Sequence, residues 1–155
     1  MTIKIFSKEE LNDVLPQKFP AQMLDRIIFD SDIPTAITGC KNISTHDLWI
    51  MGHFPDQPVF PGHCLMECCF LTALALAKIA MPQINGLPMI AQVGKTSFSL
   101  PALIGDTIQF KLTLKNNLRD KVLVFDAIIT NQRGQTIAKL RDIKGVNNET
   151  ILNVA

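Results

Sequence analysis

The sequence predicts an α+β protein in which one antiparallel β-sheet covers a single long apolar helix. Residues 64–80 are rich in good helix formers and are apolar nearly all round, which is typical of a helix buried inside a protein. The runs that follow alternate apolar and polar residues between turn formers, as in a sheet with one covered face. A chain of 155 residues without repeat, linker or low-complexity stretch favours one domain over residues 1–155.

The elements before the long helix are a short helix, a strand and a rigid loop. Ser7 and Glu10 have the spacing of a capping box, so a helix is predicted over residues 7–14. A strand-like run follows at residues 35–43. Residues 53–62 hold three prolines and one glycine. Because each proline fixes φ and lacks an N–H donor, this segment is predicted to be a stiff loop.

The long helix and four strands make up the rest of the chain. The helix is predicted to begin at Pro61 or Gly62 and to end before Pro82, after about four turns. The strand-like runs cover residues 89–100, 107–115, 121–130 and 135–145. Turn formers separate these runs at Gly105-Asp106, Asn116-Asn117 and Arg133-Gly134.

Two side chains beside the start of the long helix are candidates for acid–base chemistry. His53 places an imidazole in the stiff loop, and Glu67 lies about one turn into the apolar helix. Burial of an unpaired carboxyl raises its pKa and favours the protonated form, so Glu67 can serve as a general acid near neutral pH. The first N–H groups of the helix, near Gly62 and His63, have no intrahelical partner and can hold a developing oxyanion. Each residue alone is also typical of a structural histidine or a solvated glutamate, and their conjunction favours an enzyme.

The same segment resembles a known family. His-Phe-Pro-x-x-Pro-Val-Phe-Pro-Gly from His53, followed by Glu67, resembles the active-site segment of the β-hydroxyacyl-[acyl-carrier-protein] dehydratases of fatty-acid synthesis, which have the hot-dog fold. The resemblance covers most of the chain. It extends to residues 15–20, 24–27 and 41–44 upstream, and to residues 93–98, 101, 105–106 and 138–140 downstream.

The resemblance implies a reaction and the roles of particular residues. His53 is the catalytic histidine and base, and Glu67 is the acid in the loss of water from a (3R)-hydroxyacyl thioester. Gly62 supplies a carbonyl-binding N–H, and Val59 helps to position His53 or to form the substrate wall. His63 and Phe60 complete the expected substrate and oxyanion set.

The resemblance also implies how the protein assembles and what it needs. The His and the acid that face one substrate come from opposite subunits, so a homodimer is the least active unit, with a trimer of dimers as the larger alternative. No cofactor is needed. Glu at position 67 is typical of plain dehydratases, whereas the bifunctional dehydratase/isomerases carry Asp.

Three departures from the family keep other functions open. Leu71 stands where the family commonly has Gln, and His63 stands where it has an apolar residue or Cys. His63 is therefore either a second titrating group of the pocket or a cap of the loop. Tyr is absent, so Phe19 is the candidate stand-in for a tyrosine gate. The alternatives to a dehydratase are a hot-dog acyl thioesterase and a catalytically weak acyl-binding homologue.

The charge distribution suggests a protein partner. The net charge of +1 speaks against a dedicated nucleic-acid binder. Residues 111–155 hold eight Lys and Arg against four Asp and Glu, and the resemblance supplies an acidic acyl carrier protein as the partner. The predicted docking residues are Lys115, Arg119, Lys121 and Arg133. An ordinary solvated hairpin surface is the alternative.

The cysteines and the N-terminus indicate the compartment. Cys40, Cys64, Cys68 and Cys69 lack paired metal-ligand spacing, so neither a metal site nor a disulfide is predicted. The N-terminal residues do not form a secretory signal. The longest apolar stretch includes Glu67 and Lys78, so no membrane span is predicted. We expect a cytoplasmic protein.

Overall fold

The fold is one antiparallel sheet against one long helix, as seen in a computed structural model that describes residues 2–148. The helices are α1 (Lys8–Val14) and α2 (Gly62–Ala80). The strands are β1 (Ile3–Phe6), β2 (Arg26–Asp30), β3 (Ala36–Asn42), β4 (Leu87–Gln92), β5 (Thr96–Phe98), β6 (Thr107–Leu118), β7 (Val122–Thr130) and β8 (Thr136–Asn148). Within the described residues the sheet runs β1-β2-β3-β6-β7-β8-β4, and β5 also pairs with β8. The predicted α+β class is confirmed.

Helix α2 lies against β3 and β6, and this packing forms the core. The closest approach is at Gly39 of β3, where an added Cβ would lie 2.2 Å from Thr72 Oγ1. Thr72 is fully buried and donates to the Cys68 carbonyl at 2.7 Å, so its hydroxyl is satisfied inside the helix. Among residues 2–148, α2 is the single helix long and apolar enough to cross a membrane. Its burial under the sheet accounts for that composition.

In the first half of the chain, both helices and strand β3 follow the predictions, whereas two other strands were not predicted. Ser7 caps α1 in a capping box with Glu10, as the spacing predicts. Helix α2 begins at Gly62 with Pro61 as its N-cap and ends at Ala80. Strands β1 and β2, which pair with each other at one edge of the sheet, were not predicted.

The predicted single strand over residues 89–100 is wrong, because it is broken into β4 and β5. Gly94 lies at the break and donates its N–H to the Arg141 carbonyl at 3.0 Å. A Cβ at Gly94 would lie 2.7 Å from that oxygen, so the close approach requires glycine.

The predicted turn at Asn116-Asn117 is also displaced. Strand β6 has a bulge between Leu114 and Asn116 and continues beyond it to Leu118. The chain turns instead at Arg119 and Asp120, where φ is 55° and 56°. Residues 149–155 lie outside the described residues, and the single-domain assignment to 1–155 stays a prediction.

Candidate active site

The His53 imidazole is held in one tautomer by the loop that carries it. Its Nδ1 lies 2.9 Å from the Val59 carbonyl oxygen, and the Val59 N–H donates to the His53 carbonyl at 2.8 Å. A carbonyl oxygen only accepts, so in the neutral ring Nδ1 carries the proton and the Nε2 lone pair is left free. The Phe54 ring stacks on the imidazole at 4.4 Å between centroids. The loop therefore presents an oriented base.

His53 opens onto an apolar cleft of about 350 Å³. One wall is formed by Val59, Phe60, Gly62 and Leu65, and the other by residues 98–102. The walls are joined because Phe60 donates its N–H to the Ala102 carbonyl at 2.9 Å and Val59 forms a bridge with Leu103. Phe60 itself is almost fully buried, so it supports the cleft from the core.

The mouth of α2 contributes backbone donors to this cleft. Among the described residues, the N–H groups of Gly62 and His63 donate to no partner, whereas those of Cys64 and Leu65 donate to the Pro61 carbonyl. Gly62 faces the ring of Phe98, which lies 3.1 Å from the position that a Cβ would occupy. Free N–H groups at a helix N-terminus stabilise negative charge on an oxygen.

Glu67 lies in a different setting on the same helix. With His63, Met66 and Phe70 it forms a partly exposed stripe, while the residues on the opposite face of α2 are buried. Its carboxyl has no hydrogen-bond or ion-pair partner within residues 2–148. Burial raises the pKa of Glu67, because desolvation disfavours the charged form. Glu67 does not line the His53 cleft.

The structure thus brings together only part of the predicted site. His53, Val59, Phe60 and Gly62 share one cleft within a single chain. His63 points elsewhere, with its ring edge-on to Trp49 at 6.1 Å between centroids. Leu71, where the family commonly has Gln, is fully buried in the core.

The four predicted docking residues do not form one surface. Lys115, Arg119 and Lys121 lie at the hairpin between β6 and β7. Arg133 lies at the opposite end of these strands, where it donates to Asp106 at 3.3 Å. The two ends are roughly 25 Å apart at about 3.3 Å per strand residue.

Sequence reasoning gave no site role to Leu65 or to residues 98–102. The signal that could have found them is the mostly apolar run around Pro101, since Phe98 and Pro101 belong to the positions that resemble the family. Their place beside His53 depends on the pairing of β5 with β8, which no local pattern specifies.

The cysteines are buried and free, and no group of three or more His, Cys, Asp or Glu in residues 2–148 is arranged to hold a metal ion. Cys64, two residues from Gly62, has its pKa raised to about 11, mainly by burial. It therefore stays a neutral thiol near neutral pH.

Solved structures with this architecture define the fold class. The PaaI protein of E. coli, from the phenylacetic acid degradation operon, has a TM-score of 0.57 at 16% identity, over 73% of this chain and 76% of that chain. The dehydratase heterocomplex ApeI:P from Xenorhabdus doucetiae has a TM-score of 0.55 at 17% identity, over 75% and 92%. A hypothetical thioesterase from Streptococcus pneumoniae solved with coenzyme A has 0.56 at 16%, over 74% and 80%. The chain has the hot-dog fold.

Sequence comparison gives the family. The profile of the FabA-like domain matches residues 15–141, so the chain belongs to the FabA-like family. The 3-hydroxyacyl-[acyl-carrier-protein] dehydratase FabZ of Latilactobacillus sakei is 31% identical over 127 residues, which are 81% of this chain and 89% of that protein. The protein of the same name from Methylobacterium radiotolerans is 34% identical over 114 residues, 72% of each. The predicted resemblance is confirmed.

Proposed function

We propose that this protein is a hydro-lyase that removes water from 3-hydroxyacyl thioesters carried on acyl carrier protein, giving trans-2-enoyl thioesters for fatty-acid synthesis. The observation that carries the proposal is the 2.9 Å bond between His53 Nδ1 and the Val59 carbonyl, which leaves Nε2 free as a base in an apolar cleft. The names of the dehydratase relatives support the same reaction.

The chemistry follows from the groups around the cleft. His53 Nε2 takes the proton α to the thioester carbonyl, and the electron pair of that C–H bond forms the new Cα=Cβ double bond. The Gly62 N–H at the mouth of α2 stabilises the charge that develops on the carbonyl oxygen. Protonated Glu67 delivers its proton to the β-hydroxyl of the (3R) substrate, and the C–O bond breaks to release water. The cycle ends with His53 protonated and Glu67 ionised, and transfer of one proton between them restores both.

A second copy of the chain completes this site. Within one chain Glu67 does not line the cleft of His53, so the acid for one centre comes from the other subunit. Strand β4 is an edge strand with exposed Met89 and Ile90, and it leaves backbone groups free to pair with another strand. The partly exposed stripe that carries Glu67 offers a second contact. A homodimer is thus the proposed active unit, while a trimer of dimers and a cytoplasmic location stay predictions.

Mixing two inactive variants tests the mechanism and the assembly together. His53→Ala and Glu67→Gln should each lower the rate of formation of the enoyl product by about 10²–10⁴-fold. Unfolding and refolding them together at equal amounts should restore about a quarter of wild-type activity, because half of the dimers are mixed and each has one intact centre.

The readout is the absorbance of the α,β-unsaturated thioester beside an assay for free thiol, with each refolded single variant as the control. Full turnover in either single variant would remove that residue from the mechanism. A mixture as inactive as its components would place both groups in one subunit. Thiol release without enoyl product would indicate the thioesterase alternative.

A further inference from the structure

The loop between β3 and α2, which carries His53, begins and ends against one short turn at residues 103–106. At the start of the loop, Ile43 donates its N–H to the Asp106 carbonyl and accepts from the Gly105 N–H, each at 2.9 Å. The turn leads directly into β6, which pairs with β3 in the sheet. The start of the loop is therefore fixed to the sheet through this turn.

The end of the loop meets the same turn. Val59 forms a bridge with Leu103, and the Val59 carbonyl is the oxygen that lies 2.9 Å from His53 Nδ1. The Val59 N–H also donates to the His53 carbonyl at 2.8 Å. A displacement of Leu103 is thus transmitted to the acceptor that orients the imidazole.

The side chain of Asp106 holds this turn closed from outside the cleft. Its Oδ2 accepts the Leu103 N–H at 3.0 Å, and the Asp106 N–H donates to the Leu103 carbonyl at 3.0 Å. Its Oδ1 accepts from Gln132 Nε2 at 3.1 Å and from Arg133 at 3.3 Å. Asp106 is only 5% exposed and does not line the His53 cleft. The carboxylate therefore ties the turn to the connection between β7 and β8.

We propose that Asp106 is a positioning residue that sets the orientation of His53 through Leu103 and Val59. The inference rests on the proposed function, in which His53 Nε2 must meet the proton α to the thioester carbonyl. A carboxylate suits this task because its two oxygens accept hydrogen bonds from two directions, and bonds to a charged acceptor are stronger than neutral ones. Asp106 touches no reacting atom, so its effect on the rate comes from the geometry of the base.

The kinetic test removes the carboxylate. Asp106→Ala deletes the acceptor of the Leu103 N–H and should lower kcat by about 10–100-fold, with a much smaller change in KM. Asp126→Ala is the matched control and should leave kcat unchanged. The Asp126 carboxylate also accepts a backbone N–H, from Asp142 at 3.1 Å, and pairs with Arg141 at 2.6 Å, but it lies on β7 away from the turn.

A second variant separates the position of the carboxylate from its charge. Asp106→Glu keeps a negative charge for Arg133, whose side chain is 58% exposed and can follow it, but moves the oxygen away from the Leu103 N–H. It should lower kcat as Asp106→Ala does, and it decides the question if Asp106→Ala does not fold. Asp126→Glu is its control, and circular dichroism verifies the fold of each variant.

The tautomer of His53 gives a readout that a loss of stability alone does not change. The chain has three histidines, so nitrogen NMR of isotope-labelled histidine gives few signals, and His53→Ala identifies those of His53. Without substrate, the wild type and both Asp126 variants should carry the proton of the neutral ring at Nδ1. The Asp106 variants should show a mixture with the proton at Nε2.

The two measurements together decide the proposal. Lower kcat with a mixed tautomer in the Asp106 variants alone supports it. Lower kcat with the tautomer of His53 unchanged would overturn it, as would equal kcat in the Asp106 and Asp126 variants. Because the spectra are recorded without substrate, the effect of Asp106 on His53 is measured even if the protein catalyses a different reaction from the one proposed.

Discussion

His53 precedes the start of α2 and Glu67 follows it, and the two side chains differ in how firmly the surrounding structure holds them. The imidazole of His53 is bonded at Nδ1 to the Val59 carbonyl and is stacked on Phe54. The carboxyl of Glu67 has no partner in the described part of the chain and is held only by its position on the helix. In the proposed mechanism, the base is therefore oriented within one subunit, whereas the acid acquires its final surroundings from a second subunit. Substitutions at these two residues and at their neighbours test this difference.

The largest effect should come from removing the oriented base. His53→Ala should lower kcat by about 10²–10⁴-fold, since a positioned base contributes a factor of that size. His46→Ala is the control, because His46 is exposed on the preceding loop and bonds only locally to Thr45 and Ser44. Steady-state kinetics with a 3-hydroxyacyl thioester gives the measurement. Comparable losses in both variants would mean that the loop, and not the imidazole, is required.

The next effect concerns the backbone donor beside the base. A Cβ in Gly62→Ala would lie 3.1 Å from the Phe98 ring, so the ring or the helix mouth must shift. We expect a loss of kcat of about 10–100-fold, because the N–H is displaced from the carbonyl oxygen.

Phe98→Ala in the same chain relieves that contact and supplies the test of its cause. The double variant should recover part of the lost activity, so the two substitutions should be non-additive. Additive losses would show that the ring of Phe98 does not transmit the effect.

The role of Glu67 should be visible in the pH dependence of activity and of stability. Because the proposed role of Glu67 as an acid requires its protonated form, kcat/KM should fall as pH rises through its raised pKa. Stability should follow the same direction. Burial raises the folded-state pKa above the unfolded one, so the stabilisation is complete below the unfolded pKa and is lost as pH rises through the folded pKa.

Glu67→Gln has no such titration and serves as the reference for stability. The Tm of the wild type relative to Glu67→Gln should decline as the pH rises from the ordinary range of a carboxyl through the raised pKa of Glu67. A constant difference across this range would mean that the carboxyl is as well solvated in the folded protein as in the unfolded chain.

The smallest expected effect on catalysis comes from the contact between α2 and strand β3. Gly39→Ala would place a Cβ 2.2 Å from Thr72 Oγ1 and should cost about 1–3 kcal/mol of stability. Gly52→Ala has nothing within 4 Å and should change stability by less than about 0.5 kcal/mol. Chemical denaturation measures both. If Gly39→Ala is as stable as Gly52→Ala, α2 is free to move away from the sheet.

The sequence predicted the elements whose pattern is local and long. Helix α2 and strands β6 to β8 carry sustained apolar periodicity, which the core then uses. Strand β1 was missed because it is four residues long and its Ile3 and Ile5 point outward, so its apolar residues do not mark a covered face. The break at Gly94 was missed because it depends on the distant Arg141 carbonyl.

For the candidate site, the sequence indicated the residues themselves but not the atoms that contact them in the fold. The motif indicated His53, Gly62 and Glu67, whose roles stay proposals. The bond from His53 goes to a backbone carbonyl, which no side-chain pattern encodes. The contact of Phe98 with Gly62 joins two segments that only the folded sheet brings together.

Gly62 and Glu67 both lie in the first two turns of α2, so they move together as parts of one helix. In the proposed dimer, Gly62 serves the centre of its own His53 and Glu67 serves the centre of the other subunit. The two reaction centres are thus mechanically linked over roughly 8 Å of helix, at about 1.5 Å per residue. In that proposed dimer, a tilt of α2 on substrate binding in one centre would displace the proton donor of the other, so the two centres would not act independently.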